Sequence, residues 1–548
     1  MKPNDDDHGV GDALYDVAIV GFGPAGAVAA GLLGGMGLSV FVCDKSHEVY
    51  ELPRAFALDH EIMRVFQQLG IEQEVLAFAE PFTPSEFYGV DGQLIKRFTT
   101  APPPYLLGYV PSLVFTQPPV EKLLRAHVQS LPSVEVALGC EFVSLQQDTH
   151  AATLQLRRGD GTLRQVRARY LLGCDGAASP VRRAAGIALE DLGFDQPWLV
   201  VDVLVNEAGL AKLPQTSVQY CEPQRPCTYL IGPKNHRRWE ISINPGEDPQ
   251  ALATPEETWK LLSRWITPED AMLWRQASYR FHALVAGRWR AGRVFVAGDA
   301  AHQQPPFLGQ GMCQGIRDVA NLSWKLQAVV KGLAGDSLLD SYGLERKAHV
   351  TELTTRIKAI GQLIGQRDIE KARERDAHLL AECGGVVKSV PRQNVQPPLQ
   401  GSLLSPQHQP ACGTIFPQPW IMQKAPGSPS SQAVLLDALA GIGWRLVVDA
   451  SADKAWPGLD AQAAVRLPLC VVPVGGSRPQ ALHEQDGMLA SWFKRHGCVA
   501  ALVRPDHYVY GVAPTLEDIG PLLEYAASAA SYCLAPEPAG QPIGEHAF

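Results

Sequence analysis

The run DVAIVGFGPAGAVAAGLLGGMGLSVFVCD, residues 16–44, constrains the fold of this chain more than any other. Residues 16–21 predict a short buried strand, 25–36 a helix of small residues and 38–43 a second buried strand, because β-branched apolar runs flank a Gly- and Ala-rich middle. Strand, helix and strand at this spacing form a βαβ unit, hence a parallel sheet and an α/β fold. Val17–Cys43 is uncharged and by length alone could cross a bilayer. Its seven glycines, its proline and its division into four short pieces argue against a membrane helix. At the turn, Gly21 permits the tight bend, Gly23 lets the backbone approach a pyrophosphate, and Gly26 lets helix and strand pack closely. The helix N-terminus then turns its positive end toward the phosphates. Asp44 ends the second strand 18 residues after Gly26 (44 − 26), where an acid bonds the ribose of a dinucleotide. Up to this point FAD and NAD fit equally well.

With 548 residues the chain exceeds what one core usually serves, so two or three domains are expected. A net charge of −9 argues against nucleic acid or an anionic membrane as a partner. The eleven cysteines include no CxxC pair, and the closest two, Cys221 and Cys227, fit neither a zinc site nor a redox disulfide. No metal site is expected. Reduced thiols and an acidic N-terminus without an apolar segment point to a cytoplasmic protein.

Further helices are expected over 59–69, stopped by Gly70, and over 118–130, and strands over 134–172 with a turn at Asp160-Gly161. Residues 190–280 are strand-like and aromatic, with one helix near 256–266. They suggest a mixed sheet inserted as a wall of a substrate cavity. A strand at 293–298 and a helix at 312–331 follow, then a charged helical stretch, 337–381, expected to be a solvated pair.

Two segments separate FAD from NAD. In RARYLLGCDGAASPVRRAAGI, Asp175-Gly176 follows a buried strand, with Ser179, Arg182 and Arg183 beyond. In RVFVAGDAAHQQPPFLGQGMCQGIRDVANLSWKL, Asp299 ends a strand, a Pro-Pro loop follows, and Gly309-Gln310-Gly311 opens a helix. An acid there can bind a ribityl hydroxyl, and the helix start at Met312 and Cys313 can offer N–H groups to a flavin carbonyl.

Together with the first turn, these segments resemble the class A flavoprotein aromatic hydroxylases, single-component FAD monooxygenases, over roughly residues 15–345. The resemblance implies that Gly21, Gly23, Gly26, Asp44 and the adjoining Lys45 serve the ADP half of FAD. Asp44 stands where the family more often has Glu. It also implies that Asp175 serves FAD and the passing nicotinamide cofactor, that Asp299, Gly309, Gly311, Met312 and Cys313 serve the ribityl and ring portions, and that Arg54 and Gln117 line the middle. Pro306 matches the family position whose carbonyl orients a phenolic substrate. PRAFALDHEIMRVFQQLG, PPFLGQGMCQGIRDVANLSWKL and VRPDHYVYG resemble the 3-(3-hydroxyphenyl)propionate hydroxylases in particular. Phenol hydroxylases and polyketide or antibiotic-tailoring hydroxylases share most of these features.

The implied reaction consumes NADH or NADPH and dioxygen, and hydroxylates a phenolic acid through a flavin C(4a)-hydroperoxide in aromatic catabolism. A homodimer is compatible with it. The implied organisation is a Rossmann-type FAD-binding domain over 1–390, interleaved with a substrate sheet (about 76–105 and 188–280) and helices at 337–390. A Pro-, Gln- and Ser-rich linker over 391–412 follows, then a thioredoxin-like domain over 413–548. In that domain a helix is expected at 432–440 and Cys470 and Cys498 in the core, so its role is structural.

Among candidate catalytic residues, Asp299 follows an apolar run where a carboxylate has little structural use. His302 is a proton relay or a loop cap; His60 is catalytic or an exposed neighbour of an N-capping Asp59. Tyr220 and Tyr229 face substrate or core, and Arg125, Arg182 and Arg183 meet a ligand or solvent. Trp289, Trp324 and Trp444 are expected in the core. A flavin disulfide reductase would need a second GxGxxG and a cysteine pair, and the sequence has neither.

Overall fold

The computed structural model describes residues 14–407, 409–424, 431–451, 467–477 and 480–532. The acidic N-terminal stretch and the last residues assigned above to the C-terminal domain lie outside them. No helix among the described residues is long and apolar enough to cross a membrane.

The expected βαβ unit is strand Leu14–Val20, helix Pro24–Gly35 and strand Val40–Asp44. Its strands lie side by side in a sheet with Val134–Leu138 beyond Val40–Asp44, and Leu163–Gly173 and then Val294–Val296 beyond Leu14–Val20; all these pairings are parallel. A parallel sheet with helices on its faces buries its strands nearly completely, which is why VAIV, VFVC and VFV carry no polar side chain. Gly161, at a positive φ of 85°, makes the turn that returns Ala152–Arg158 to Leu163–Gly173.

Two strands of unusual length, Leu189–Val205 and Ala271–Ala286, anchor a second, nine-stranded sheet. His236–Ser242, Cys227–Ile231, Ser217–Tyr220, Ser85–Tyr88 and Leu94–Thr99 extend it in that order, and Ser389–Pro391 closes the edge. Its outer face is apolar, carrying Val201, Tyr229, Trp239 and Ile241 packed against helix Pro255–Leu262. Its inner face meets Phe307, Leu308 and helix Asp340–Ile364.

Helix Asp340–Ile364 corrects the expectation of a solvated pair. Tyr342, Glu345, Arg346, His349, Leu353 and Ile357 are buried along it, because its charges find partners on other elements instead of water. The stretch 385–407 is likewise a packed strap and no free linker. Arg392 donates to the Leu308 carbonyl (2.9 Å), Gln393 to Ser112 Oγ (2.9 Å) and Gln396 to Gln310 Oε1 (3.0 Å). Its polar composition serves internal hydrogen bonds.

Beyond it, a four-stranded sheet runs in the order Leu469–Val474, Trp444–Asp449, Ala500–Val503, Val509–Ala513, with the first pair parallel and the others antiparallel. The helix expected over 432–440 is only Leu436–Ala440; Ser431–Leu435 pairs instead as a strand with Trp420–Lys424. Cys498 is buried, but Cys470 is exposed, since its strand lies at the sheet edge. Trp289, Trp324 and Trp444 are core.

Two buried ion clusters join this unit to the rest. Arg64 donates to both oxygens of Asp437 (2.5 and 2.9 Å) and to the Phe416 carbonyl (2.7 Å), while Arg445 pairs with the same carboxylate. Glu345 is gripped by Arg504 (2.7 and 2.8 Å) and Lys325 (2.7 Å), and Arg504 also holds Asp506 (2.7 Å).

Candidate active site

In a parallel sheet the carboxyl ends of the strands share one edge, and ligands bind there. That edge gathers residues far apart in sequence: the Gly21 turn, Asp44, Asp175 and the Gly298–Ala300 turn that carries Asp299. Gly21 has φ 101°, and a Cβ on it would stand 2.3 Å from the Cys174 carbonyl oxygen; a Cβ on Gly26 would stand 1.9 Å from the Gly21 oxygen. Those two glycines are required by packing. Gly23 is different, because a Cβ there meets nothing within 4 Å. Its open space faces the N-terminus of helix Pro24–Gly35, a cradle that fits a pyrophosphate.

Asp44 accepts from the Phe22 N–H (2.8 Å) and the Ser46 N–H (2.8 Å), so its carboxylate is already aimed at the glycine turn; Lys45 beside it is exposed. Asp175 accepts from Ser179 Oγ (2.5 Å) and the Val181 N–H (2.9 Å), and burial raises its carboxyl above the usual range. Asp299 has an exposed side chain, yet the protein around it raises its carboxyl too. It makes no hydrogen bond among the described residues, so its carboxyl remains available to a ligand hydroxyl.

The loop 305–310 folds on a hydrogen bond from the Gly309 N–H to the Pro306 carbonyl (2.6 Å). It abuts the segment of Arg54, where a Cβ on Gly309 would stand 2.8 Å from Ala57 Cβ and Cys313 Sγ lies 3.6 Å from the Ala57 oxygen. Gln117 ties the same segment down, accepting from the Ala55 N–H (2.6 Å) and the Arg54 N–H (3.2 Å). The Arg54 guanidinium is exposed over the Tyr50 ring. Gly311 opens helix Gly311–Val330, with Met312 half-buried at its start. Beside the loop lies a cavity of about 300 Å³ lined by His60, Leu308, Gln310, Arg317, Arg392 and Tyr508, among others.

The candidate catalytic residues divide. Pro306 is in the loop facing the inner sheet, and His60 lines the cavity; burial lowers its imidazole to about 4, so it is neutral at neutral pH. It is half-buried, not exposed; Asp59 beside it is the helix N-cap, accepting from Glu61 and Ile62. His302 is placed inside the protein. Its Nε2 lies 2.8 Å from Asp318 Oδ2 and its ring stacks on Trp289, while Asp318 also accepts from the Gly298 N–H (3.0 Å). It braces the turn that carries Asp299. Tyr220 is turned away as well: strand alternation puts it on the outer face, against Trp265, and Tyr229 is buried on that face. Arg125 and Arg182 are buried, Arg125 over the Phe22 ring and bonded to Glu121, and Arg182 bonded to the Ala177 and Ala300 carbonyls; only Arg183 is at the surface.

Sequence reasoning missed the inner face of the nine-stranded sheet. There Asp202, fully buried, is bonded by Arg238 (2.7 and 3.1 Å) and His236 (2.7 Å), and Arg238 and Arg275 reach across to the Arg54 and Pro53 carbonyls (2.9 and 2.6 Å). Asp202 thus pins the sheet to the Arg54 segment. The alternation in RRWEIS carried the signal, but an alternating charged face in sequence reads equally as solvent.

Comparison with known proteins places this geometry in context. A family model described as "FAD binding domain" matches residues 14–357, and one described as "HcaD C-terminal domain" matches residues 413–524. The chain is 35% identical over 546 residues to the probable NADH-specific resorcinol 4-hydroxylase of Rhodococcus jostii (strain RHA1), covering 97% of this chain and 98% of the relative. It is 33% identical to the 3-(3-hydroxy-phenyl)propionate/3-hydroxycinnamic acid hydroxylase of Burkholderia cenocepacia (strain HI2424), covering 90% and 93%. Among solved structures, the flavin-dependent monooxygenase PieE with FAD and substrate superposes with a TM-score of 0.78 at 23% identity, covering 95% of this chain and 99% of that one. Aklavinone-11 hydroxylase with FAD and aklavinone gives 0.75 at 23% identity, covering 95% and 100%.

Proposed function

The chain belongs to the FAD binding domain family of flavoprotein hydroxylases, and from that premise we propose that it hydroxylates a small phenolic ring bearing a second substituent meta to the hydroxyl. It is an FAD-dependent hydroxylase that draws electrons from NADH or NADPH. The observation that carries the reading is the single sheet edge on which the Gly23 cradle, Asp44, Asp175 and the unpaired Asp299 meet. Resorcinol and 3-(3-hydroxyphenyl)propionate, named for the two relatives, are both meta-substituted phenols, which makes them the first substrates to try.

In this reading the N-terminus of helix Pro24–Gly35 and the Gly23 backbone hold the pyrophosphate, Asp44 with Lys45 the adenosine ribose, and Asp299 a ribityl hydroxyl. Arg54 and Gln117 hold the segment along the middle of the cofactor, and Asp175 serves FAD and the visiting nicotinamide. Gly309, Gly311, Met312 and Cys313 form the helix start against the ring. Bound FAD supplies hydride acceptance from the nicotinamide and electron transfer to dioxygen, one atom of which enters the ring. The protein orients the phenol against the Pro306 loop and excludes water with Trp198, Phe281 and Phe307, whose rings lie 5.4 to 6.1 Å apart. The fold reads as an FAD-binding domain over 1–390 with an inserted substrate sheet, a strap over 391–412, and a thioredoxin-like domain over 413–548 that lacks the redox pair and seals the seam. A cytoplasmic catabolic enzyme, monomeric or homodimeric, fits it.

Purified protein should be yellow and release about one FAD per chain on heating. NADH or NADPH oxidation should accelerate with one of the two phenols and yield a ring bearing one more hydroxyl. Colourless protein that FAD cannot reconstitute would contradict the reading.

A further inference from the structure

Glu240 is a buried carboxyl that the fold does not explain. It lies mid-strand in His236–Ser242, paired across to Val200 on one side and Thr228 on the other. Trp239 and Ile241, its chain neighbours, belong to the outer apolar cluster, so Glu240 faces inward with Arg238 and Ser242. Its place on that face can be bracketed. On one side the Arg238 guanidinium covers the Phe56 ring and donates to the Arg54 carbonyl, on the segment assigned to the flavin. On the other, Ser242 pairs with Trp198, whose ring touches Phe307 at 5.4 Å. Glu240 therefore stands between the Arg54 segment and the Pro306-Phe307 loop, where the substrate ring must lie in the reading above.

What sets it apart is its lack of a partner. Arg238 spends its donors on Asp202 and the Pro53 and Arg54 carbonyls, and Arg275 gives its two terminal nitrogens to the Pro53 carbonyl, Asp202 and Tyr279 while its Nε has no partner. Thr228 gives its hydroxyl to Gln219 (2.5 Å). Among the described residues the Glu240 carboxyl makes no hydrogen bond and no ion pair within 4 Å, and a buried polar group is ordinarily satisfied. A ligand that brings a donor would satisfy it.

We propose that Glu240 binds and activates the substrate: its carboxylate accepts the hydrogen bond of the phenolic hydroxyl and takes that proton during hydroxylation. The inference rests on the hydroxylase reading. In the step, the phenol O–H bond breaks, the proton moves to a Glu240 oxygen, and the electron pair stays on the phenolate oxygen. That enriches the ring carbons ortho and para to it; the proton returns to that oxygen when the hydroxylated product leaves.

The charges around the group suit this task. Burial raises its carboxyl to about 7, against the pull of Arg238 on its own strand and Arg275 on Ala271–Ala286, while Asp202 on Leu189–Val205 pushes it up further. His236 and Tyr279 share this face, His236 bonded to Asp202 and Tyr279 to Arg275. A base near the working pH transfers protons most effectively.

The test uses the FAD-loaded enzyme with resorcinol and 3-(3-hydroxyphenyl)propionate, and with their O-methyl ethers, which lack the donor. E240Q should retain FAD, bind the ethers as the wild type does, and lose about 10²- to 10⁴-fold in kcat/KM for the phenols. The fall of wild-type kcat/KM below about pH 7 should vanish in E240Q and persist in E240D. An E240Q within about twofold of a wild type that hydroxylates, with the same pH profile, would overturn the proposal. Binding to wild type alone gives a second readout: the phenol should bind more weakly as pH falls through about 7, and the ether should not change. Phenol binding that ignores pH would also overturn it. A wild type that hydroxylates no phenol would instead overturn the hydroxylase reading itself.

Discussion

The carboxylates buried at the seam with the C-terminal unit and the Glu240 carboxyl buried in the nine-stranded sheet are treated oppositely. At the seam with the C-terminal unit, Asp437 has Arg64 and Arg445, and Glu345 has Arg504 and Lys325. On the inner face of the nine-stranded sheet Glu240 has none, although Arg238 is two residues away on its strand. The pairing has the expected electrostatic signature. Burial alone would raise Glu345, but Arg504 and Lys325 bring it down to about 2, whereas burial takes Glu240 up to about 7. A paired buried charge is a structural joint that costs stability when broken; an unpaired one costs stability while it is kept, and its use lies with a ligand.

Breaking the seam should have the largest effect. Asp437→Ala leaves two arginines buried without their carboxylate, a loss on the order of 3–5 kcal/mol, read by denaturant unfolding. Glu240→Gln removes no partner and relieves an unpaired buried charge, so it should leave the protein as stable as the wild type or more stable at neutral pH. Equal losses for the two variants would erase the distinction.

Acid should open the seam by the same logic. The Glu345 carboxyl sits at about 2 in the folded protein and near 4.3 in an unfolded chain. Its contribution is therefore complete above about pH 4.3 and is lost as pH falls from there toward 2. Asp437, also lowered, is lost in the same direction. Unfolding free energy measured from pH 6 to pH 3 should decline with that onset. A flat profile would mean the pairs are solvated.

Asp299→Ala should leave the fold intact, because no protein group depends on that carboxyl, yet weaken FAD retention roughly 10- to 100-fold, as expected from losing a charged hydrogen bond of about 1.5–3 kcal/mol. Full flavin occupancy at dilution would place the ribityl chain elsewhere. Replacing Cys470 and Cys498 together by Ala should have the smallest effect. Cys470 is exposed, and burial pushes the Cys498 thiol up to about 12, too high for a reactive thiolate at neutral pH. About 1 kcal/mol of packing is at stake, with turnover per bound flavin unchanged. A variant that binds FAD fully and fails to turn over would give the unit a redox part.

The turns at the carboxyl edge of the parallel sheet were legible in the sequence because their requirements are local. Gly21 and Gly26 must lack a Cβ because one would stand 2.3 Å and 1.9 Å from a carbonyl oxygen, Asp44 ends a buried strand, and Asp299 lies in the turn just after one. The seam and the inner sheet face were not legible. Glu345 and Arg346 look like surface charges on a helix until Arg504, 159 residues later, and Asp318 arrive to pair with them. His302 suggested chemistry because its partner, Asp318, lies a full element away on helix Gly311–Val330. Tyr220 and Glu240 illustrate the same limit: alternation along a strand says which residues share a face, but only the assembled sheet says which face holds the site.

The most direct test of the central claim is oxygenation stoichiometry in the FAD-loaded enzyme. NADH or NADPH consumption and product would be measured together with resorcinol and with 3-(3-hydroxyphenyl)propionate. The account predicts slow oxidation without a phenol, faster oxidation with one of them, and close to one hydroxylated product per NADH or NADPH consumed. Unchanged oxidation with both, or stimulated oxidation that yields only hydrogen peroxide, would contradict it.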